Sequence, residues 1–116
     1  MQCPKCLSET MASFTVSDVA IERCSSCDGT WFDEYELSRL LAEEARNVAR
    51  LRKGAIDPDV DAIKALCPRD GSPLLRMYSA IDKSVVLDAC ADCHGIWLDG
   101  GEFAKLYNAQ RQQTND

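Results

Sequence analysis

At 116 residues, with a formal net charge of −6 and a pI near 4.7, the chain is one small domain or two very small ones, and its acidity argues against a surface built to hold nucleic-acid phosphates. No apolar stretch approaches membrane length, and the first cysteine follows Met1-Gln2 directly, which leaves no room for a signal peptide. A cytoplasmic, reducing setting is therefore expected, and there seven cysteines favour metal over disulfides.

The chain opens on Cys3-Pro4-Lys5-Cys6; seventeen residues later comes Cys24-Ser25-Ser26-Cys27. Two C-x2-C pairs at this separation predict a four-ligand zinc site made by Cys3, Cys6, Cys24 and Cys27. Each pair should form a tight knuckle whose backbone N–H groups point at the sulfurs. Between the knuckles, Phe14 and Val16, then Val19 and Ile21, alternate with polar residues around Ser17-Asp18, the pattern of a β-hairpin. After the second knuckle, Gly29 is expected to take a positive φ. Trp31 is expected to cover the metal centre and seed a small core. Asp33, followed by Glu36, predicts a capping box that starts a helix.

That helix is expected to run from Asp33 to about Lys53. Leu37, Leu40, Leu41, Ala45, Val48 and Leu51 recur at three- and four-residue steps and give one apolar stripe. Gly54 should cap it and Asp57-Pro58 should break the path. The stripe must be covered, either by the second half of the chain or by a protein partner or second copy bound along 33–53, which would make a homodimer. Arg46, Arg50, Arg52 and Lys53 read as a basic C-terminal end complementing the helix dipole.

Residues 54–66 read as a linker with a short helical turn through Val60, Ile63 and Leu66. Then the pattern returns. Cys67-Pro68-Arg69-Asp70 is followed, nineteen residues on, by Cys90-Ala91-Asp92-Cys93. Leu75 and Met77, then Val85 and Leu87, predict a second hairpin with a longer loop around Asp82-Lys83. Gly95, Trp97, Asp99 and Glu102 stand at the offsets of Gly29, Trp31, Asp33 and Glu36, and such self-similarity marks a duplicated unit. A second helix should start at Asp99 and carry Phe103, Leu106 and Tyr107, with 110–116 a disordered polar tail.

The expected fold is small α+β and metal-stabilised: two zinc-ribbon-like knuckle and hairpin units, 1–53 and 67–109, each followed by a capped helix, the first one long. A unit of about 40 residues usually needs metal, disulfides or a partner to stay folded. Two zinc ions are expected, although a tetrathiolate site also accepts iron. The second site lacks a cysteine. Asp70, standing where the first copy has Cys6, is the preferred fourth ligand beside Cys67, Cys90 and Cys93. His94 is the alternative through an imidazole nitrogen, and a metal-free or water-open site is the third outcome.

CPKC…CSSCDGTWFDEYEL and CPRD…CADCHGIWLDGGEF together resemble the bacterial zinc-finger family named after general transcription factor IIB. The pattern resembled is C-P-x-C, a spacer, C-x-x-C-x-G-x-W-[LF]-D, then Glu-Leu, and Asp70 departs from its four cysteines. The resemblance implies a zinc-ribbon-like fold with structural zinc on the cysteines; it implies little about biochemical function. The residues themselves point to a non-enzymatic zinc protein that works through protein–protein contact. They contain no Gly-rich phosphate loop, serine motif or second histidine, and a site closed by four protein ligands is structural. Two alternatives remain: nucleic-acid binding in transcription, and a thiol or zinc redox switch at the second site.

Overall fold

A computed structural model describes residues 1–7 and 10–114 of the chain. Strand β1 (Ala12–Val16) and strand β2 (Val19–Arg23) form the first hairpin. Ser17 and Asp18 join them with φ of 47° and 67°, the two left-handed residues of a hairpin turn whose twist matches the strands. The expected alternation holds: Val16, Val19 and Ile21 are buried, and Phe14 is half-buried. The second hairpin is β4 (Leu75–Tyr78) with β5 (Val86–Ala89), joined by a longer loop in which Asp82 accepts from the amide and hydroxyl of Ser84. Here Leu75 and Met77 differ from expectation. Both are exposed, while Val85 is buried at the end of the loop.

The two copies do not fold as separate beads. Strand β3 (Thr30–Phe32) pairs antiparallel with β6 (Ile96–Leu98), fusing the halves into one six-stranded antiparallel sheet of order β1-β2-β3-β6-β5-β4. Trp31 lies opposite Trp97, so residues equivalent in the repeat face each other across a local pseudo-twofold axis.

Trp31 and Trp97 cross that axis. A Cβ built on Gly29 would sit 2.1 Å from Trp97 Cζ2, and one on Gly95 would sit 2.2 Å from Trp31 Cζ2. Each indole therefore packs on the glycine of the other copy. This corrects the expected reason for the glycines. The positive φ falls one residue earlier, on Asp28 (60°) and His94 (63°), and the glycines are required because a neighbouring ring occupies the space of a side chain.

Helix α1 spans only Glu36–Leu41, so the long helix expected over 33–53 is not formed. Glu44 is extended, a one-turn 3-10 helix covers Ala45–Val48, and turns carry the chain to Gly54. The break has a tertiary cause. The Glu43 carbonyl, which a continuing helix would commit to Asn47, instead accepts from the Tyr107 hydroxyl and the Arg111 guanidinium. The Asn47 amide falls back on the Glu44 carbonyl. The bend also wraps the chain over the second copy. Leu37, Leu40, Leu41, Val48 and Leu51 are all buried in one core with Val85, Leu98, Phe103, Leu106 and Tyr107. The apolar stripe is thus covered within the chain except at Ala45, which is exposed.

The linker contains α2 (Pro58–Asp61), with Asp57 accepting from the Asp59 amide at its start. Helix α3 spans Glu102–Thr114, so most of the polar segment expected to be a disordered tail is helical; Asn115 and Asp116 lie outside the described residues. Among the described residues no helix is long and apolar enough to cross a membrane.

Gly29→Ala or Gly95→Ala should push an indole out of place and cost roughly 1–3 kcal/mol, the usual range for overpacked sites. Urea unfolding of the zinc-loaded protein measures this, and an unchanged midpoint in both variants would contradict the indole exchange.

Candidate metal centres

Four knuckles present the donors, and all four close in the same way. The carbonyls of Cys3, Cys24, Cys67 and Cys90 accept from the amide four residues on, at 3.1, 2.9, 2.9 and 3.0 Å. The residue at that fourth step is left-handed each time: Leu7, Asp28, Gly71 and His94. The turn also aims amides at sulfur. Cys6 N–H donates to Cys3 Sγ at 3.3 Å, Arg69 N–H to Cys67 Sγ at 3.4 Å, and Cys93 N–H to Cys90 Sγ at 3.4 Å. Such bonds stabilise thiolate charge.

The first centre gathers Cys3, Cys6, Cys24 and Cys27, whose sulfurs lie within 4.8 Å of one another. Cys3 Sγ and Cys27 Sγ are 3.8 Å apart. Tetrahedral zinc with bonds of about 2.3 Å separates its sulfurs by roughly 3.8 Å, so the spacing fits the ion. No disulfide joins any of the seven cysteines. Without a cation the thiols divide protons unevenly. Hydrogen bonding from Cys27 lowers Cys3 to about 5, burial raises Cys6 to about 11, and the bond to Cys3 pushes Cys27 far up. One cluster cannot hold four bare thiolates, so metal binding here must release protons.

The second centre gathers Cys67, Asp70, Cys90 and Cys93 within the same limit. Cys67 Sγ and Cys93 Sγ are 3.7 Å apart. Asp70 Oδ2 lies 3.4 Å from Cys90 Sγ, close to the roughly 3.5 Å between oxygen and sulfur on one zinc ion. Its other oxygen accepts from the Ser72 amide at 2.9 Å and the Ser72 hydroxyl at 2.6 Å, and these bonds hold the Asp70 carboxyl down at about 2. Burial, as the largest influence, raises Cys67 to about 12. His94 is not among these four groups; its backbone closes the knuckle, and the residue lines an apolar depression with Leu75, Met77 and Ile96. Both donor sets fit zinc, with soft thiolates in the majority.

A protein-family model described as transcription factor zinc-finger matches residues 2–43 and 66–109, one match for each copy. The chain belongs to this family. Neither curated proteins nor solved structures gave a significant match.

In this transcription factor zinc-finger chain the two centres are tied to each other by residues that sequence reasoning passed over. The residue after the proline in each opening knuckle, Lys5 in Cys3-Pro4-Lys5-Cys6 and Arg69 in Cys67-Pro68-Arg69-Asp70, is basic, and each basic side chain crosses to the other copy. Arg69 grips Asp33 with two hydrogen bonds of 2.7 Å. Lys5 lies 3.7 Å from Asp99, the residue equivalent to Asp33. Those aspartates were expected to cap helices, but their side chains accept instead from the indole N–H groups of Trp31 (3.0 Å) and Trp97 (2.8 Å). Only the other half of each capping box forms: Asp33 N–H donates to Glu36 Oε1 at 2.8 Å, and Asp99 N–H to Glu102 Oε1 at 2.7 Å. The repeat held a signal for this, since positions 5 and 69 match in charge and positions 33 and 99 match in identity.

The two crossings differ in burial. The Arg69–Asp33 pair is half-exposed, and its hydrogen bonds hold the Asp33 carboxyl below its ordinary value. On the other side, burial raises Asp99 to about 6 and Glu102 to about 8, against the attraction of Lys5 for Asp99.

Chelating the metal from reduced protein should abolish the native packing of both indoles, because sulfurs and rings form one buried cluster. Near-ultraviolet circular dichroism reads this, and an unchanged spectrum after complete zinc removal would refute it. A second expectation concerns pH. Asp99 and Glu102 bind protons more tightly folded than unfolded, so their stabilising contribution is complete below about 4 and is lost as pH rises through about 6 and about 8. At constant zinc occupancy and without added divalent ions, stability should fall between pH 6.5 and 9, and Glu102→Gln should flatten the upper part of that slope.

Proposed function

We propose that this protein is a non-enzymatic module that binds two structural zinc ions and acts through protein–protein contact. Cys3, Cys6, Cys24 and Cys27 hold one ion; Cys67, Asp70, Cys90 and Cys93 hold the other. What supports a structural role is the closed donor count, four protein groups at each centre, which leaves no coordination position for substrate.

The observation that carries the contact reading is strand β4. It stands at the edge of the sheet and all four of its residues are exposed. Leu75 and Met77 are each 52% exposed and lie on one face, next to Ile96. Uncovered apolar side chains on an edge strand are a common docking surface. Segment 33–53, the other candidate surface, has its stripe occupied by the second copy. Capture of partners from a cell extract on the zinc-loaded chain tests the reading. A specific partner lost on Leu75→Glu with Met77→Glu supports it; failure of the unmodified chain to retain any partner overturns it.

The family description favours a second reading, nucleic-acid binding in transcription. Net charge opposes it, and several basic side chains of 46–53 have partners within the chain: Arg46 with Glu44, Arg50 over the Phe14 ring and Arg52 over the Tyr107 ring. Mobility shift at low salt separates the two readings, since phosphate contact would give binding that falls steeply as salt is added.

The Asp70 assignment has its own test. Asp70→Ala should lower the zinc content from two ions to one, and His94→Ala should keep both. Metal analysis by mass spectrometry reads the difference, and a full second ion in Asp70→Ala would transfer the role elsewhere.

A further inference from the structure

The exchange of Cys6 in the first copy for Asp70 in the second does more than replace sulfur by oxygen. A thiolate has one donor atom. A carboxylate has two, and it can hold an ion through either oxygen or through both at once. Asp70 is also exposed, so water competes for its oxygens, and its side chain turns freely unless something holds it. The second centre therefore needs a group that chooses between the oxygens, and the first does not.

Ser72 makes that choice. Its amide donates to Asp70 Oδ1 at 2.9 Å, and its hydroxyl donates to the same oxygen at 2.6 Å. Neither bond goes to Oδ2, which lies 3.4 Å from Cys90 Sγ. Ser72 is itself fixed to the centre on two further sides. Its carbonyl accepts from the Cys67 amide at 2.7 Å, and its hydroxyl oxygen lies 3.2 Å from Cys90 Sγ. One half-buried serine thus touches Cys67, Asp70 and Cys90, three of the four donor residues.

We propose that Ser72 is the positioning residue of the second centre: by occupying Oδ1 it makes Asp70 a one-oxygen ligand through Oδ2 and keeps the centre four-coordinate. This rests on the assignment of Asp70 as the fourth ligand. Partners that fix one part of a ligating side chain orient the donor atom, and losing one costs roughly 10- to 100-fold in metal affinity. Without the serine hydroxyl a single amide bond holds the carboxylate. Asp70 then turns to offer both oxygens or gives way to water, and either change opens a centre that four protein groups otherwise close.

The test uses the full chain loaded with Co2+, whose visible absorption is strong in four-coordinate sites and weak at higher coordination, together with chelator competition for zinc. Both Co2+ ions of the unmodified chain should absorb strongly. Ser72→Ala should still bind two ions at saturation, but it should weaken zinc at the second centre roughly 10- to 100-fold and dim the Co2+ absorption of that centre alone. Ser72→Thr, which keeps the hydroxyl, should restore both. Unchanged affinity and absorption in Ser72→Ala would overturn the proposal and leave the Asp70 assignment standing. A full second ion in Asp70→Ala would overturn the assignment and the proposal with it. A weak spectrum from the second Co2+ of the unmodified chain would overturn the proposal with no variant made, so it decides even if Ser72→Ala fails to fold.

Discussion

The exchange of Trp31 and Trp97 between the two copies is the contact on which the architecture depends. Each ring fills the space above the other copy's glycine, is held by an aspartate through its N–H, and joins the sulfurs in one buried cluster. An indole is a large apolar plate with one donor, and both properties are used here. The ring seals the far knuckle while its N–H fixes the near aspartate. That aspartate then receives a basic side chain from the far knuckle, Arg69 in one direction and Lys5 in the other. Sulfur cluster, ring, carboxylate and base form a closed circuit, traversed once in each direction.

That circuit changes the meaning of structural zinc in this chain. In an isolated finger the ion substitutes for a core that is too small. Here a continuous core of fourteen buried side chains, drawn from both copies, lies beside the sulfur cluster. The knuckles bring the metal-ligating groups together and position Lys5 and Arg69, and these reach the opposite half. The second centre also exposes its carboxylate donor while the first has four thiols, so the two are coupled but unequal.

Local spacing revealed the knuckles, the first hairpin, Asp70 beside the three thiols and the existence of a repeat, because each is set by residues close in the chain. What spacing left hidden is what the second copy does to the first. Gly29 reads as a turn residue unless one knows that Trp97 stands over it. Segment 33–53 has a good helical stripe, but the Glu43 carbonyl is taken by Tyr107 and Arg111, more than sixty residues away in sequence. Asp33 has the motif of a cap, yet the ring two residues before it claims its oxygen. Lys5 looked like an unremarkable knuckle position and is nearly inaccessible, with three carbonyls around its ammonium group. In every case the deciding partner comes from a different element, and tertiary context overrides the local pattern.

The β3–β6 pairing has one more consequence. A single copy would leave an open strand edge and an indole with nowhere to go, so its natural mate is another copy of itself. The covalent connection through 54–66 turns that encounter into an intramolecular event, governed by effective concentration and not by how much protein is present. A tandem chain of this kind is a tethered dimer. It is free to let its two halves drift apart in chemistry, as Cys6 and Asp70 already have, without losing the match that holds them together.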